Sequence, residues 1–154
     1  MAALRSVLAT VLIFCIIEYC ESNAGFAGLR ISNFAFEGHK LANGGNCDGT
    51  NPFKQMSKYC EPYVKIFVNG QQVFRSETKS AAVNAVKFSE HYENAKIPRD
   101  AKIRIEVWDS DSGNAGGSKD DLILRKEVTL NQCLGYQTID NGHGSKLSFN
   151  GLLK

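Results

Sequence analysis

An antiparallel β-sandwich is the fold class this sequence predicts, and three observations predict it. Over Ile103 to Trp108, Ile103, Ile105 and Val107 alternate with Arg104, Glu106 and Trp108, the period of two that sends successive side chains to opposite faces of a sheet. Asn69-Gly70 stands between two further apolar runs, and both residues tolerate the positive φ of a type I′ hairpin. Turn residues divide the rest into short segments with no convincing amphipathic helix, and seven or eight short strands in one chain imply an antiparallel sandwich.

The strands follow in order. Leu29 and Ile31, extended to Phe34 and Phe36, line the first. Tyr63 to Val68 forms the second, and Asn69-Gly70 turns it into a third around Val73-Phe74. Val86 and Phe88 mark the next, then Lys102 to Trp108, Leu122 to Leu130, Tyr136 to Ile139 and Lys146 to Phe149. The Ala-rich stretch from Lys79 to Lys87 is the one helix candidate, and it is short. There is no internal repeat and no low-complexity linker.

Residues 1–24 read as a secretory signal peptide: Arg5 precedes an apolar run from Val7 to Ile17, and Ser22-Asn23-Ala24 offers small residues for cleavage. A signal anchor is the alternative, but Glu18 and Glu21 interrupt the apolar character, and a span needs roughly 20 apolar residues. Residues 25–154 then form a single domain of 154 − 24 = 130 residues, enough for one core. Removing Arg5, Glu18 and Glu21 leaves 17 of 18 basic and 14 of 16 acidic residues, a net charge of +3. That balance is too mild to argue for nucleic acid. The tail Gly151-Leu152-Leu153-Lys154 is too short for a lipid-anchor signal. The expected product is secreted, extracellular and released, with no Asn-x-Ser/Thr sequon.

Cys15 and Cys20 leave with the leader, so Cys47, Cys60 and Cys133 remain in a compartment that permits disulfides. Cys47 and Cys60, 13 positions apart around a polar loop, are the expected bridge, with a stabilisation of about 3 kcal/mol in the chain-entropy model. Cys133 is odd: buried and free, or paired between molecules. No cysteine spacing matches a zinc site.

Asp109 and Asp111 lie two apart where the Ile103 strand exits, and with Asp120 and Asp121 across a glycine-rich loop they form a candidate cradle for a hard cation. Polar turns are built from the same residue types, so composition alone does not separate the two readings. An EF-hand reading of Asp109 to Asp120 fits poorly, because Asn114 stands where that loop needs Gly and Asp120 where it needs Glu.

Taken in order, LRISNFAFEGHKLANG, CEPYVKIFVNG, IRIEVWDSD and DDLILRKEVTL resemble the C2 domain, an eight-stranded Greek-key β-sandwich that binds calcium and lipid. Glu61-Pro62-Tyr63-Val64 takes the place of the family's Asp-Pro-Tyr-Val strand opening, and Trp108-Asp109-Ser110-Asp111 that of its Trp-Asp-x-Asp strand exit. Gly38, Leu41-Ala42-Asn43-Gly44, Asn46-Cys47, Cys60 and Tyr136-Gln137-Thr138 are similar to the N-terminal C2-like module of Notch ligands of the Jagged, Serrate and Delta type. Those ligands continue into a receptor-binding module, repeats and a membrane span. The chain ends where the first of these would begin, so the expected role is a soluble co-ligand, an antagonist or a module with another task.

The resemblance implies a calcium site formed by Asp48 and Glu61 of the first loop and Asp109, Asp111 and Asp121 of the third. Glu61 replaces the usual Asp and the third loop is long, with Gly113, Gly116 and Gly117, so the expected affinity is of the order of 10⁻⁴ to 10⁻³ M. Phe53 and Met56, interleaved with Lys54 and Lys58 inside the Cys47–Cys60 loop, are the candidate contacts with an anionic phospholipid membrane surface, each cation adding about 1 kcal/mol. The bland alternative tucks Phe53 and Met56 under the loop. Trp108 is expected to pack, not to make contacts. His39, His91 and His143 sit in separate polar segments without a nucleophile or metal motif, so no enzyme is expected. Two function classes remain: a calcium-dependent phospholipid-binding module, and a protein-interaction module that recognises a cell-surface receptor.

Overall fold

The computed structural model describes residues 25–47, 60–80, 85–111 and 119–154. Among the described residues are nine strands: β1 (Phe26–Glu37), β2 (Pro62–Val68), β3 (Gln71–Arg75), β4 (Ala85–Lys87), β5 (Tyr92–Pro98), β6 (Lys102–Asp109), β7 (Asp121–Thr129), β8 (Gly135–Asp140) and β9 (Lys146–Leu153). All pairings are antiparallel. One sheet runs β4-β1-β9-β8, with β5 also on β1; the other runs β3-β2-β6-β7. β4 pairs with Ala35–Glu37 and β5 with Phe26–Ile31, so the two occupy successive stretches of one β1 edge, and the nine segments fill eight strand positions.

β1 keeps its alternation in two halves. Ala27, Leu29 and Ile31 are buried, then Phe34 and Phe36 are, one residue out of phase. The slip falls at Asn33, whose φ of 57° marks a bulge between Ser32 and Ala35 and returns the following apolar side chains to the core. Asn69 and Gly70 have φ of 49° and 85°, as the β2–β3 hairpin requires. Ile66 and Val64 of β2, Ile103, Ile105 and Val107 of β6, Ile123 and Leu124 of β7, and Leu147 and Phe149 of β9 meet β1 in one core. Phe34 ties the sheets together, stacked on Phe74 at 5.9 Å between ring centroids and tilted against Phe149 at 6.4 Å.

The short helix candidate over Lys79 to Lys87 overlaps the strand expected at Val86 and Phe88, and the strand, Ala85–Lys87, is what forms, held on β1; residues 81–84 lie outside the described residues. β5 was not anticipated at all. Only Tyr92 and Ile97 of its seven residues are buried, and a register shift opposite Ala27–Leu29 breaks the alternation that would have announced it.

Candidate functional site

Residues 38–47, 60–61, 76–80, 110–111, 119–120 and 141–145 gather at one end of the sandwich, where the hydrogen bonds Ala42 N to Leu122 O (3.0 Å) and Lys79 N to Pro62 O (3.0 Å) join them to the sheet ends. The disulfide between Cys47 and Cys60 lies here, with both cysteines buried. It brings together the two ends of a segment whose residues, Asp48, Phe53, Lys54, Met56 and Lys58 among them, lie outside the described residues.

Asp109 closes β6 on the core-facing side, in phase with Ile103, Ile105 and Val107. It is 2% exposed. Its Oδ1 accepts the backbone N–H of Glu61 at 2.5 Å, and Ser110 N donates to Glu61 O at 3.1 Å, extending the β2–β6 ladder past Pro62, which has no N–H to offer. A carboxylate oxygen of Asp109 and the sulfurs of Cys47 and Cys60 lie within 4.8 Å of one another. The oxidised sulfurs are not metal ligands, so this group marks how closely the first loop is held to the end of β6.

A bulge in β7 brings Asp121 to the same place. Val107 faces Leu124 and Trp108 faces Leu122, leaving Ile123 extra, so Asp121 instead of Leu122 comes opposite Asp109. Without that residue every side chain beyond it would change faces. Asp121 is exposed, Asp111 partly so, and Glu61 exposed. The sequence-derived ligands Glu61, Asp109, Asp111 and Asp121 are thus at one end of the fold. All offer carboxylate oxygen, the donor calcium prefers, and the end is open enough for its flexible coordination. They do not form a closed cage: among the described residues no three of these carboxylates lie within 4.8 Å of one another.

Asp120 turns the other way. Its Oδ2 accepts the hydroxyl of Tyr63 at 2.6 Å and its Oδ1 the N–H of Asp111 at 3.3 Å. Burial first, and the Asp120 carboxylate second, push the Tyr63 phenol up to about 12, which keeps it a hydrogen-bond donor. Tyr63 belongs to the outer face of the four-stranded sheet. There the Arg75 guanidinium lies 4.0 Å from its ring centroid, and Lys65 Nζ stands 4.6 Å from the centroid of Trp108. Trp108 is on this outer face and only partly buried, so it packs among cations, outside the core; its Nε1 donates to Glu106 at 2.7 Å. Glu106, 1% exposed, also accepts from Arg125 Nε at 2.8 Å. Arg104 Nε approaches it to 2.9 Å as an ion pair out of line for a hydrogen bond.

Asn141, which sequence reasoning passed over, locks the first loop to this frame. Its Nδ2 donates to Lys40 O (2.9 Å), Leu41 O (3.2 Å) and Ile123 O (3.0 Å), the last being the carbonyl of the β7 bulge residue. Its Oδ1 accepts from His143 N and Ser145 N. Asn141-Gly142 signals a turn in the sequence, but nothing in it announces an amide that reaches three carbonyls from two other segments. Tyr63 and Asp120 were likewise visible only as a strand residue and a loop carboxylate. His39, His91 and His143 remain in separate segments, the last two exposed.

Two packed antiparallel sheets with acidic loop stems at one end define a β-sandwich module. Residues 37–148 match the family model of the C2 domain, and the chain belongs to that family. Solved structures share the fold. A C2 domain aligns with a TM-score of 0.58 at 18% identity, over 83% of this chain and 98% of that one. The calcium-bound C2A–C2B pair of extended synaptotagmin 2 aligns at 0.60 and 22%, over 84% of this chain and 46% of that one. Human GIVD cytosolic phospholipase A2 aligns at 0.60 and 14%, over 84% of this chain and 17% of that one. No curated protein matches the sequence. Among the described residues no helix is long and apolar enough to cross a membrane.

Proposed function

We propose that residues 25–154 form a secreted, non-catalytic C2 module that binds calcium and, through it, anionic phospholipid surfaces outside the cell, residues 1–24 serving as a cleaved signal peptide. The observation that carries the reading is the register that sets Asp121 opposite Asp109 at the end where the disulfide anchors the first loop. Asp48, Glu61, Asp109, Asp111 and Asp121 would hold the ion. Bound calcium would supply positive charge that cancels the acidic loops. Phe53 and Met56, which lie in sequence between the linked Cys47 and Cys60, could then enter the bilayer interface, with Lys54 and Lys58 over anionic headgroups; burying Phe53 alone contributes roughly 1.5 to 3 kcal/mol.

Sedimentation with phosphatidylserine vesicles at millimolar calcium tests this. The parent should sediment with calcium and not with EDTA, and Phe53→Ala should weaken vesicle binding without changing calcium affinity. Asp109→Asn with Asp111→Asn should abolish both, although Asn at 109 keeps an oxygen to accept the Glu61 N–H. Failure of the parent to sediment refutes the membrane reading.

A second reading is favoured by one observation: Asp109 is almost fully buried and already accepts from Glu61, so the same end can be rigid without an ion. In that case the likeness of the first-loop residues to the Notch-ligand module points to a calcium-independent, soluble module that engages a cell-surface receptor. Receptor capture unaffected by EDTA would favour it.

A further inference from the structure

The acidic end and the cationic face of the four-stranded sheet meet at one side chain, Tyr63. Its ring is 1% exposed, held beneath Arg75 at 4.0 Å and beside Lys65 at 5.1 Å, and opposite Trp108 in the β2–β6 ladder. Those contacts leave the ring no room to turn, so the hydroxyl has a fixed direction. It points at Asp120, whose second oxygen receives the N–H of Asp111. Asp120 therefore bridges both stems of the 110–120 loop to a strand that belongs to neither.

Both neighbours of this bridge are proposed ligands. Asp111 is tied by its backbone and Asp121 by direct succession, whereas Asp120 has both oxygens engaged on the outer side of the sheet, away from Asp109. Asp111 and Asp121 must be held in place when an ion binds, and ordering each residue costs free energy. Stems fixed beforehand lower that cost.

We propose that Tyr63 is a positioning residue for the calcium-binding end: its hydroxyl clamps Asp120, and through Asp120 the two stems of the third loop, at the spacing from which Asp111 and Asp121 close on the ion. Asp120 is a strut and not a ligand. The inference rests on the calcium reading above.

Calcium titration calorimetry on the parent, Tyr63→Phe and Asp120→Ala, with hydrogen exchange of the Asp111 amide in EDTA, tests it. Tyr63→Phe keeps the ring between its cations and removes one oxygen. It should weaken calcium binding about tenfold, the scale of one charge-assisted hydrogen bond, and speed exchange of the Asp111 amide without metal. Asp120→Ala should weaken binding to a similar extent. Ile105→Val, a core change of comparable stability cost, should leave calcium affinity unchanged; a fall there too would make the effect of Tyr63→Phe a stability effect and overturn the proposal. Unchanged affinity in Tyr63→Phe overturns the clamp while the calcium reading stands. Tighter binding in that variant also overturns it, because Asp120 would then be a ligand that Tyr63 withholds. Unaltered Asp111 exchange refutes the clamp independently of calcium, and a parent that binds no calcium overturns the calcium reading and the positioning role together.

Discussion

Removing the Cys47–Cys60 bridge perturbs the site at its one covalent constraint. The bridge closes a sequence separation of 13, for which the chain-entropy model gives about 3 kcal/mol at 25 °C. The sulfurs are also buried, the cysteines 3% and 1% exposed, so Cys47→Ala with Cys60→Ala loses their packing as well, for a total of about 3 to 5 kcal/mol. Alanine is the right replacement, since serine would bury two hydroxyls beside Asp109 and add an unrelated desolvation cost. Urea unfolding measures the change. The midpoint should fall and the denaturant slope should rise slightly, because the unlinked unfolded chain exposes more surface. The melting temperature should drop by roughly 10 °C or more. Calcium affinity should fall in parallel, since Asp48 and Glu61 each follow one of the cysteines and lose their shared anchor. A loss under about 1 kcal/mol would refute the reasoning: the loop would then be held by its other contacts, such as Ala42 N to Leu122 O, and not by the bridge.

Two further predictions concern the frame. Burial pushes the Cys133 thiol from 9.0 up to about 12, so the folded state favours the neutral form; the contribution is complete below pH 9 and is lost as pH rises towards 12. Urea midpoints should therefore fall over that window in the parent and fall less in Cys133→Ala, and equal slopes in the two proteins would refute it. Asn141→Asp replaces the donor to Lys40 O, Leu41 O and Ile123 O with a carboxylate facing three carbonyls; about 3 kcal/mol or more should be lost in urea unfolding at neutral pH, and a near-native midpoint would show that the amide is not what holds the first loop.

The strands that sequence reveals are those whose two faces meet different surroundings along their whole length. β6 alternates without interruption because its inner side chains face the core and its outer ones a charged sheet surface. β1 keeps its pattern in two halves, split by Asn33. β5 loses its pattern: the strand lies on the upper part of the β1 edge, shifts register there and buries only two side chains, so there is little periodic burial for a sequence to record. The short helix candidate at Lys79 to Lys87 overlaps a strand that is just as sparing in buried side chains. Alanines favour helices when nothing else decides, but Ala85–Lys87 finds open backbone hydrogen bonds on β1, and tertiary pairing outweighs a weak intrinsic preference.

The acidic residues of the site were legible for a different reason from the contacts that aim them. Asp109, Asp111 and Asp121 stand out through their spacing at a strand exit and entry and through the likeness of Trp108-Asp109-Ser110-Asp111 to the C2 strand exit. Their directions depend on backbone events that carry no residue signature. The bulge at Ile123 decides that Asp121 and not Leu122 faces Asp109, and the carbonyl freed at that bulge is satisfied by Asn141, more than a dozen residues later in the chain. Asp120 and Asp121 are the same residue type in adjacent positions, yet one braces Tyr63 on the outer face and the other stands opposite Asp109. Which carboxylate faces Asp109 and which braces Tyr63 is set by the alternation of the strand they introduce, and that alternation is fixed only once the bulge is in place.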